Sequence, residues 1–364
     1  MKKNTLSLLF SILLFSIILS QSFALEITDS TSHYNGPQLE FDGRHFHSPP
    51  EYPGIDSLYL WNGINIFFRT LSRYTDDFFS NTEEKEQWFK PATVAQSSDD
   101  AKITLIGHAT FLIQLSGINI LTDPIFGDLF PVYYTRMLEP GIAFDQLPSK
   151  IDVVIISHNH PDHMEFSSFK NMMNRDNPPL MLVPKGVKKW FDKYDYKKVV
   201  EFIWGEQQTI DVPGVEQKVH ITFLPANHIS GRGAFDIGKT AWGSWLIENN
   251  EKKIYFAGDT NYSPHFKEIA KNVKSIDAAL MPIAPNEPAD LVDKAGHMGS
   301  ASAVEAFIDL DAHLFIPMHW GIFRFGSEKF IEPINRLYEA WNLNQDRLFE
   351  KKLVVLAVGE SMFL

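Results

Sequence analysis

The sequence predicts a mixed α/β (α+β) chain folded as a four-layer αββα sandwich, and three observations predict it. From residue 101 onward, short apolar runs of strand length alternate with helix-compatible stretches. Strands followed by helices recur twice, as expected of two sheets packed face to face and covered by helices. Four of the apolar runs end in His or Asp, which puts polar chemistry at the C-terminal ends of buried strands. No repeat of solenoid length and no low-complexity tract competes with this reading.

The elements follow in chain order. Met1-Lys2-Lys3, an apolar stretch from Leu6 to Leu19, and Ser22-Phe23-Ala24 make the three regions of an export signal, with cleavage expected after Ala24. The alternative is an uncleaved anchor, but the run is short and broken by Ser7, Ser11 and Ser16. Residues 25–100 form an N-terminal extension. Its first part is polar and weakly periodic; His33, His45 and His47 have no strand ends around them and are read as non-ligands. Residues 61–90 carry Phe67-Phe68, Phe78-Phe79 and Trp88-Phe89 among charges, as amphipathic helices would. They form either a helical cap on the core or the wall of a lipid-facing groove.

Residues 101–364 are expected to form the main folded domain. Strands are expected at 103–106, 111–115 and 118–121, with Ser116-Gly117 as a hairpin turn and Asp123-Pro124 ending the third. A loop carrying Phe126, Phe130, Tyr133 and Tyr134 follows, then a strand at 151–156 and a helix near 165–174. A strand at 180–183 and a helix at 187–194 come next. Further strands fall near 208–210, 219–224, 242–247, 253–257 and 313–318. Helices fall at 262–271 and 300–310, with Ser300 as a candidate N-cap.

Composition sets limits. A chain of 364 residues builds a substantial core. A formal net charge of −12 argues against a nucleic-acid partner held by global electrostatics. The absence of Cys excludes disulfides and lipoprotein modification, and in an exported chain it suits a bacterial periplasm.

The most informative run is Ser157-His158-Asn159-His160-Pro161-Asp162-His163, directly behind an apolar strand. Imidazole nitrogen and carboxylate oxygen are the ligands of zinc and its divalent neighbours. Alternation lets His158 and His160 point to one side while Asp162 and His163 turn toward a second. His228, Asp259 and His319 each end a strand-like run of their own, Asp259 after a Gly258 that permits an unusual turn. Four strands releasing His or Asp at their C-terminal ends predict a metal site along one sheet edge. His108, in Gly-His-Ala-Thr, is expected on the floor of the site or in the core. Asp123 is expected to orient a ligand His or to be structural.

These residues resemble the metallo-β-lactamase superfamily, whose signature is His-X-His-X-Asp-His. Within it the chain is most similar to the N-acylphosphatidylethanolamine-hydrolysing phospholipase D family. The segments carrying the resemblance are Gly107-His108-Ala109-Thr110, Leu121-Thr122-Asp123-Pro124, the 157–163 loop and Pro225-Ala226-Asn227-His228. They continue with Trp242-Gly243-Ser244-Trp245, Ala257-Gly258-Asp259-Thr260, the run from Pro282 to Pro288, and His319-Trp320-Gly321.

The resemblance implies a first metal held by His158, His160 and His228, a second held by Asp162, His163 and His319, and Asp259 bridging the two. It implies two zinc ions, with iron or manganese also acceptable to the donor set. Asp162 and His297 are the implied catalytic groups, His297 donating to a phosphoryl oxygen. Arg232 is read as a phosphate partner or a solvated loop residue. The implied reaction is phospholipase D-type hydrolysis of N-acylphosphatidylethanolamine to N-acylethanolamine and phosphatidic acid. A lactone, thioester or soluble phosphodiester is the alternative substrate, while a nuclease or a non-catalytic metal-binding surface protein fits less well. A phospholipid substrate implies contact with a membrane surface, and a homodimer is open. Members that open β-lactams with a Cys ligand have no match here. Pro161 and Gly296 depart from the animal enzymes, which carry Tyr and Gln at those places, so substrate choice is the point in question.

Overall fold

The computed structural model describes residues 34–55, 82–129, 136–211, 217–233, 235–286, 292, 295–326 and 328–364. The residues read as an export signal, together with His33, Phe67-Phe68, Phe78-Phe79, Phe130, Tyr133, Tyr134, Glu287 and Pro288, lie outside the described residues. The cap-or-groove alternative for 61–90 therefore falls largely outside them too.

Sixteen strands are described: β1 Glu40–Phe41, β2 Phe46–His47, β3 Lys102–Gly107, β4 Thr110–Leu115, β5 Ile118–Thr122, β6 Val153–Ile155, β7 Leu180–Pro184, β8 Val199–Phe202, β9 Gln207–Ile210, β10 Val219–Leu224, β11 Ser244–Glu248, β12 Lys253–Phe256, β13 Ala278–Pro282, β14 Leu314–Met318, β15 Lys352–Leu353 and β16 Ser361–Phe363. The helices are α1 Thr82–Gln87, α2 Phe166–Met173, α3 Lys188–Asp192, α4 His265–Asn272, α5 Ser300–Leu310 and α6 Glu332–Leu343.

The strands form two seven-stranded sheets, β16-β3-β4-β5-β6-β7-β8 and β15-β14-β13-β12-β11-β10-β9, beside the β1–β2 hairpin. The central strands of both sheets are buried on both faces, which explains why they read as near-continuous apolar runs. Alternation still sorts the side chains. Val153 and Ile155 face the layer between the sheets, where Phe223 and Trp245 lie, while Val154 faces outward toward Phe169, Met172 and Phe191 of α2 and α3. Helices α4, α5 and α6 cover the outer face of the second sheet; Phe266, Phe307 and Leu337 are buried there. This is the four-layer αββα order.

Ser116 and Gly117 form the hairpin turn at φ 51° and 80°, as expected. The strand expected at 242–247 starts at Ser244, because the Gly243 N–H donates to Ser157 O across to the other sheet instead of joining a ladder. Ser300 is not the N-cap. Gly299 holds that position, Asn286 Oδ1 accepts the Ser300 N–H, and the Ser300 hydroxyl donates to the Ile283 and Pro333 carbonyls.

Described parts of the N-terminal extension are packed into the domain. Tyr34, Phe46 and Tyr52 join the central core, the Phe46 N–H donates to Gly238 O at 2.7 Å, and Tyr52 Oη donates to Glu268 at 2.6 Å. His45 and His47 lie exposed beside Asp42. Among the described residues no helix is long and apolar enough to cross a membrane.

Candidate metal centre

One expectation changes at once: the donors come from both sheets, not one. Strand β6 of the first sheet ends in the 157–163 loop. In the second sheet β10, β12 and β14 run the same way and end before His228, Asp259 and His319. Because the two sheets face each other, these C-terminal ends converge at one rim of the sandwich.

The side chains gather in two four-membered groups of donor atoms, His158–His160–His228–Asp259 and His108–Asp162–His163–His319, and in two overlapping trios, Asp123–His158–His163 and Asp259–His297–His319. In the first, His160 Nδ1 lies 2.8 Å from His158 Nε2 and 3.1 Å from His228 Nε2. In the second, Asp162 Oδ2 lies 3.1 Å from His108 Nε2, 3.4 Å from His163 Nε2 and 3.5 Å from His319 Nε2. Asp259 Oδ2 faces both: 3.1 Å to His163, 3.2 Å to His319, and 4.0 Å to each of His158 and His228.

Hydrogen bonds on the far side of the rings fix which nitrogen faces inward. His163 Nδ1 donates to Asp123 at 2.7 Å, His228 Nδ1 to Gly296 O at 2.8 Å and His319 Nδ1 to Ala284 O at 3.0 Å. His158 Nδ1 donates to Ser157 Oγ, which donates in turn to Asp123 Oδ2. Asp123 is thus wholly buried and orients two rings, directly and through Ser157.

Burial and partners set the protonation states. Burial pushes His160 down to about 4 and holds His158 and His228 well below the ordinary histidine range. The first trio is therefore neutral and ligand-ready at pH 7. Burial also opposes charge on His319, yet Asp259 and Asp162 carry it up to about 9, and the same carboxylates raise His163. His108 is pushed down to about 3, chiefly by burial.

The arrangement fits divalent cations. His163 Nε2, His319 Nε2 and both Asp259 oxygens are buried without a hydrogen-bond partner. Orphaned buried polar atoms are costly, and a cluster of them, all metal-ligand types, marks the place of a cation.

The remaining expected residues fall around this centre. His297 Nδ1 is buried, unpartnered and 3.5 Å from Asp259 Oδ2, while its side chain is 18% exposed. Arg232 braces the metal loop, where the sequence suggested a phosphate partner or a solvated residue: its Nη1 donates to Asn159 O and Met164 O. His108, Asp123 and His319 hold positive φ of 57°, 32° and 63°, the backbone strain that clusters at functional sites. Gly258 is needed as glycine: at φ +59° its Cβ would lie 2.5 Å from Ser157 Cβ.

Sequence reasoning missed three supports. The buried Asn159 side chain accepts the Gly231 N–H and so ties the metal loop to the loop after His228. Trp245 Nε1 donates to Ile156 O at 2.9 Å and Trp242 Nε1 to Ala226 O at 3.2 Å, each just ahead of a ligand. The Trp-Gly-Ser-Trp run signalled these without disclosing their partners.

Fold and donor set together define a metal-dependent hydrolase of the β-lactamase type. Residues 118–320 match the beta-lactamase superfamily domain, and the chain belongs to that family. It is 31% identical over 268 residues to N-acyl-phosphatidylethanolamine-hydrolyzing phospholipase D 1 of Caenorhabditis elegans, covering 71% of this chain and 74% of the relative. It is 33% identical over 257 residues to the mitochondrial N-acyl-phosphatidylethanolamine-hydrolyzing phospholipase D of Saccharomyces cerevisiae, covering 68% of this chain and only 53% of that one. Two solved structures share the fold. A metallo hydrolase from Ignicoccus hospitalis aligns with TM-score 0.53 and 21% identity over 72% of this chain and 98% of its own. A diiron β-hydroxylase from Streptomyces venezuelae aligns with TM-score 0.54 and 19% identity over 74% and 55%.

Proposed function

We propose that this chain is an exported, binuclear zinc phosphodiesterase that hydrolyses N-acylphosphatidylethanolamine in the manner of a phospholipase D, releasing N-acylethanolamine and phosphatidic acid. The observation that carries the reading is Asp259, whose Oδ2 faces ring nitrogens of both donor groups within 4.0 Å. A carboxylate can serve two cations at once and reduce their repulsion, which an imidazole cannot. Two divalent ions in such a site supply charge on both sides of a displacement at phosphorus and a nucleophile at neutral pH.

The chain's own residues do the rest. His158, His160 and His228 would hold one ion, Asp162, His163 and His319 the other, with Asp259 between them. Asp123 holds His163 and Ser157 in register. His297, unpartnered and partly exposed, donates to a phosphoryl oxygen as its charge grows. Similarity to two enzymes named for hydrolysing N-acylphosphatidylethanolamine supports the substrate class. The donor set accepts zinc, iron or manganese alike, and zinc is proposed on availability.

The test is hydrolysis of N-acylphosphatidylethanolamine in mixed micelles by metal-reconstituted protein, beside a soluble aryl phosphodiester and a chelator control. Chelator-sensitive release of N-acylethanolamine is expected. Turnover of the soluble ester alone would remove the lipid from the reading, and no activity on either, with two metals bound, would turn attention to lactones and thioesters.

A further inference from the structure

In a chain of net charge −12, residues 185–198 read Lys-Gly-Val-Lys-Lys-Trp-Phe-Asp-Lys-Tyr-Asp-Tyr-Lys-Lys: six lysines against two aspartates, a local +4. This basic stretch spans α3 and its flanks. Its acidic neighbours are already occupied: Asp192 pairs with Lys188, Asp195 with Lys197 and Glu201 with Lys185. Lys189 and Lys193 enter no ion pair among the described residues, and Lys193 Nζ stands 4.5 Å over the Trp190 ring.

Aromatic side chains lie among these cations. Phe166 is 38% exposed and Tyr194 53%, and the Phe166 and Trp190 rings lie 5.4 Å apart. The Arg232 guanidinium sits 4.2 Å from the Phe166 centroid and 5.8 Å from that of Trp190. Phe235, on the same loop as Arg232, is 90% exposed. That loop returns beside the basic stretch, since a Cβ on Gly186 would lie 3.0 Å from Lys239 O. The remaining acids here have local duties: Asp236 accepts the Arg232 and Gly233 N–H groups, and Glu165 caps α2. Arg232 also donates to the Asn159 carbonyl within the metal loop and to the Met164 carbonyl just after it, so this surface adjoins the loop.

We infer that residues 185–198, with Phe166, Arg232 and Phe235, form a docking surface for an anionic phospholipid bilayer, which rests on the phospholipid reading above. Lysines attract the negative surface potential of such a bilayer, and amphipathic aromatics sit at headgroup depth. Lysine stems cover apolar surface while their ammonium groups reach the phosphates.

The experiment is co-sedimentation of the metal-loaded full chain with phosphatidylcholine vesicles, with and without phosphatidylglycerol, at rising salt. Binding is expected only with phosphatidylglycerol present, and it should weaken as salt rises. The K189E/K193E double variant should partition at least about tenfold less, W190A should show a smaller loss, and both should retain soluble-ester turnover. K189Q/K193Q serves as the uncharged companion, with a loss between wild type and charge reversal. Equal binding to both vesicle types, undiminished binding by the charge-reversed variant, or tighter capture of single-stranded RNA than of vesicles overturns the inference. Failure of the phospholipase reading shows separately, as vesicle binding without release of N-acylethanolamine.

Discussion

Asp259 and His297 both face the metal centre but have different work, and their substitutions separate it. Asp259 touches both donor groups and its oxygens have no other partner. Under the binuclear reading, Asp259→Asn removes the carboxylate charge placed between the two donor groups, so it should lose one or both metals and nearly all turnover. His297 lies at the edge of the groups, 3.5 Å from Asp259 and partly exposed. His297→Ala should keep both metals and lose about 100-fold or more in kcat. Metal analysis beside kinetics decides the pair: full metal in the Asp259 variant removes the bridging role, and metal loss in the His297 variant makes it a ligand. The donors that the structure gathers in the two four-membered groups stood out in the sequence because each of their runs lies directly behind an apolar strand, while their division between two ions came from the family resemblance. The work of Arg232 was not legible there, because it depends on carbonyls that only folding brings within reach.

At the level of elements, a ligand is placed only as well as the strand end that releases it. Strand β6 gives way to the metal loop at Ile156, whose carbonyl accepts Trp245 Nε1 from β11 of the opposite sheet. Trp245 is fully buried against Phe202 and Phe223. Trp245→Phe keeps an aromatic ring there but leaves that carbonyl without its partner. A cost of about 1–3 kcal/mol in unfolding free energy follows, since a buried acceptor is left unsatisfied. Denaturant titration measures it, and an unchanged midpoint and slope would show that Ile156 needs no such support. Strand positions were readable because alternation and length are local signals. The pairing of β6 with the second sheet's tryptophan was not, because its partners lie far apart in sequence and meet only through the sandwich. The same holds for β16, whose register against β3 is set by the closing of the sheet.

At the scale of the whole molecule, a segment that the sequence showed only as polar and weakly periodic is packed against the metal centre's supports. Residues 46–55 run along the strand ends of the second sheet: Asn227 Nδ2 donates to Pro53 O at 3.1 Å, Tyr52 stacks 6.2 Å from Trp204, and Ile55 reaches Gly296. The contacts of Pro53 and Ile55 fall on Asn227 and Gly296, immediately before His228 and His297, so the segment supports the backbone of a proposed ligand and of the proposed donor together. Weak periodicity concealed this, since an irregular strap carries neither helical nor strand spacing. Gly296 is where the consequence can be measured. Its carbonyl accepts His228 Nδ1, its φ is +79°, and a Cβ there would lie 2.8 Å from His228 Nδ1 and 2.9 Å from Ile55 Cδ1. Gly296→Ala therefore adds backbone strain and two close contacts, together about 1–3 kcal/mol. It should lower both thermal stability and retention of the ion held by His228. Ile55→Ala in the same chain removes one contact and should restore part of the loss, so the two effects should be non-additive. Strict additivity would mean that the strap and the glycine act apart, and an unchanged Gly296→Ala variant would mean that the backbone behind His228 yields without cost.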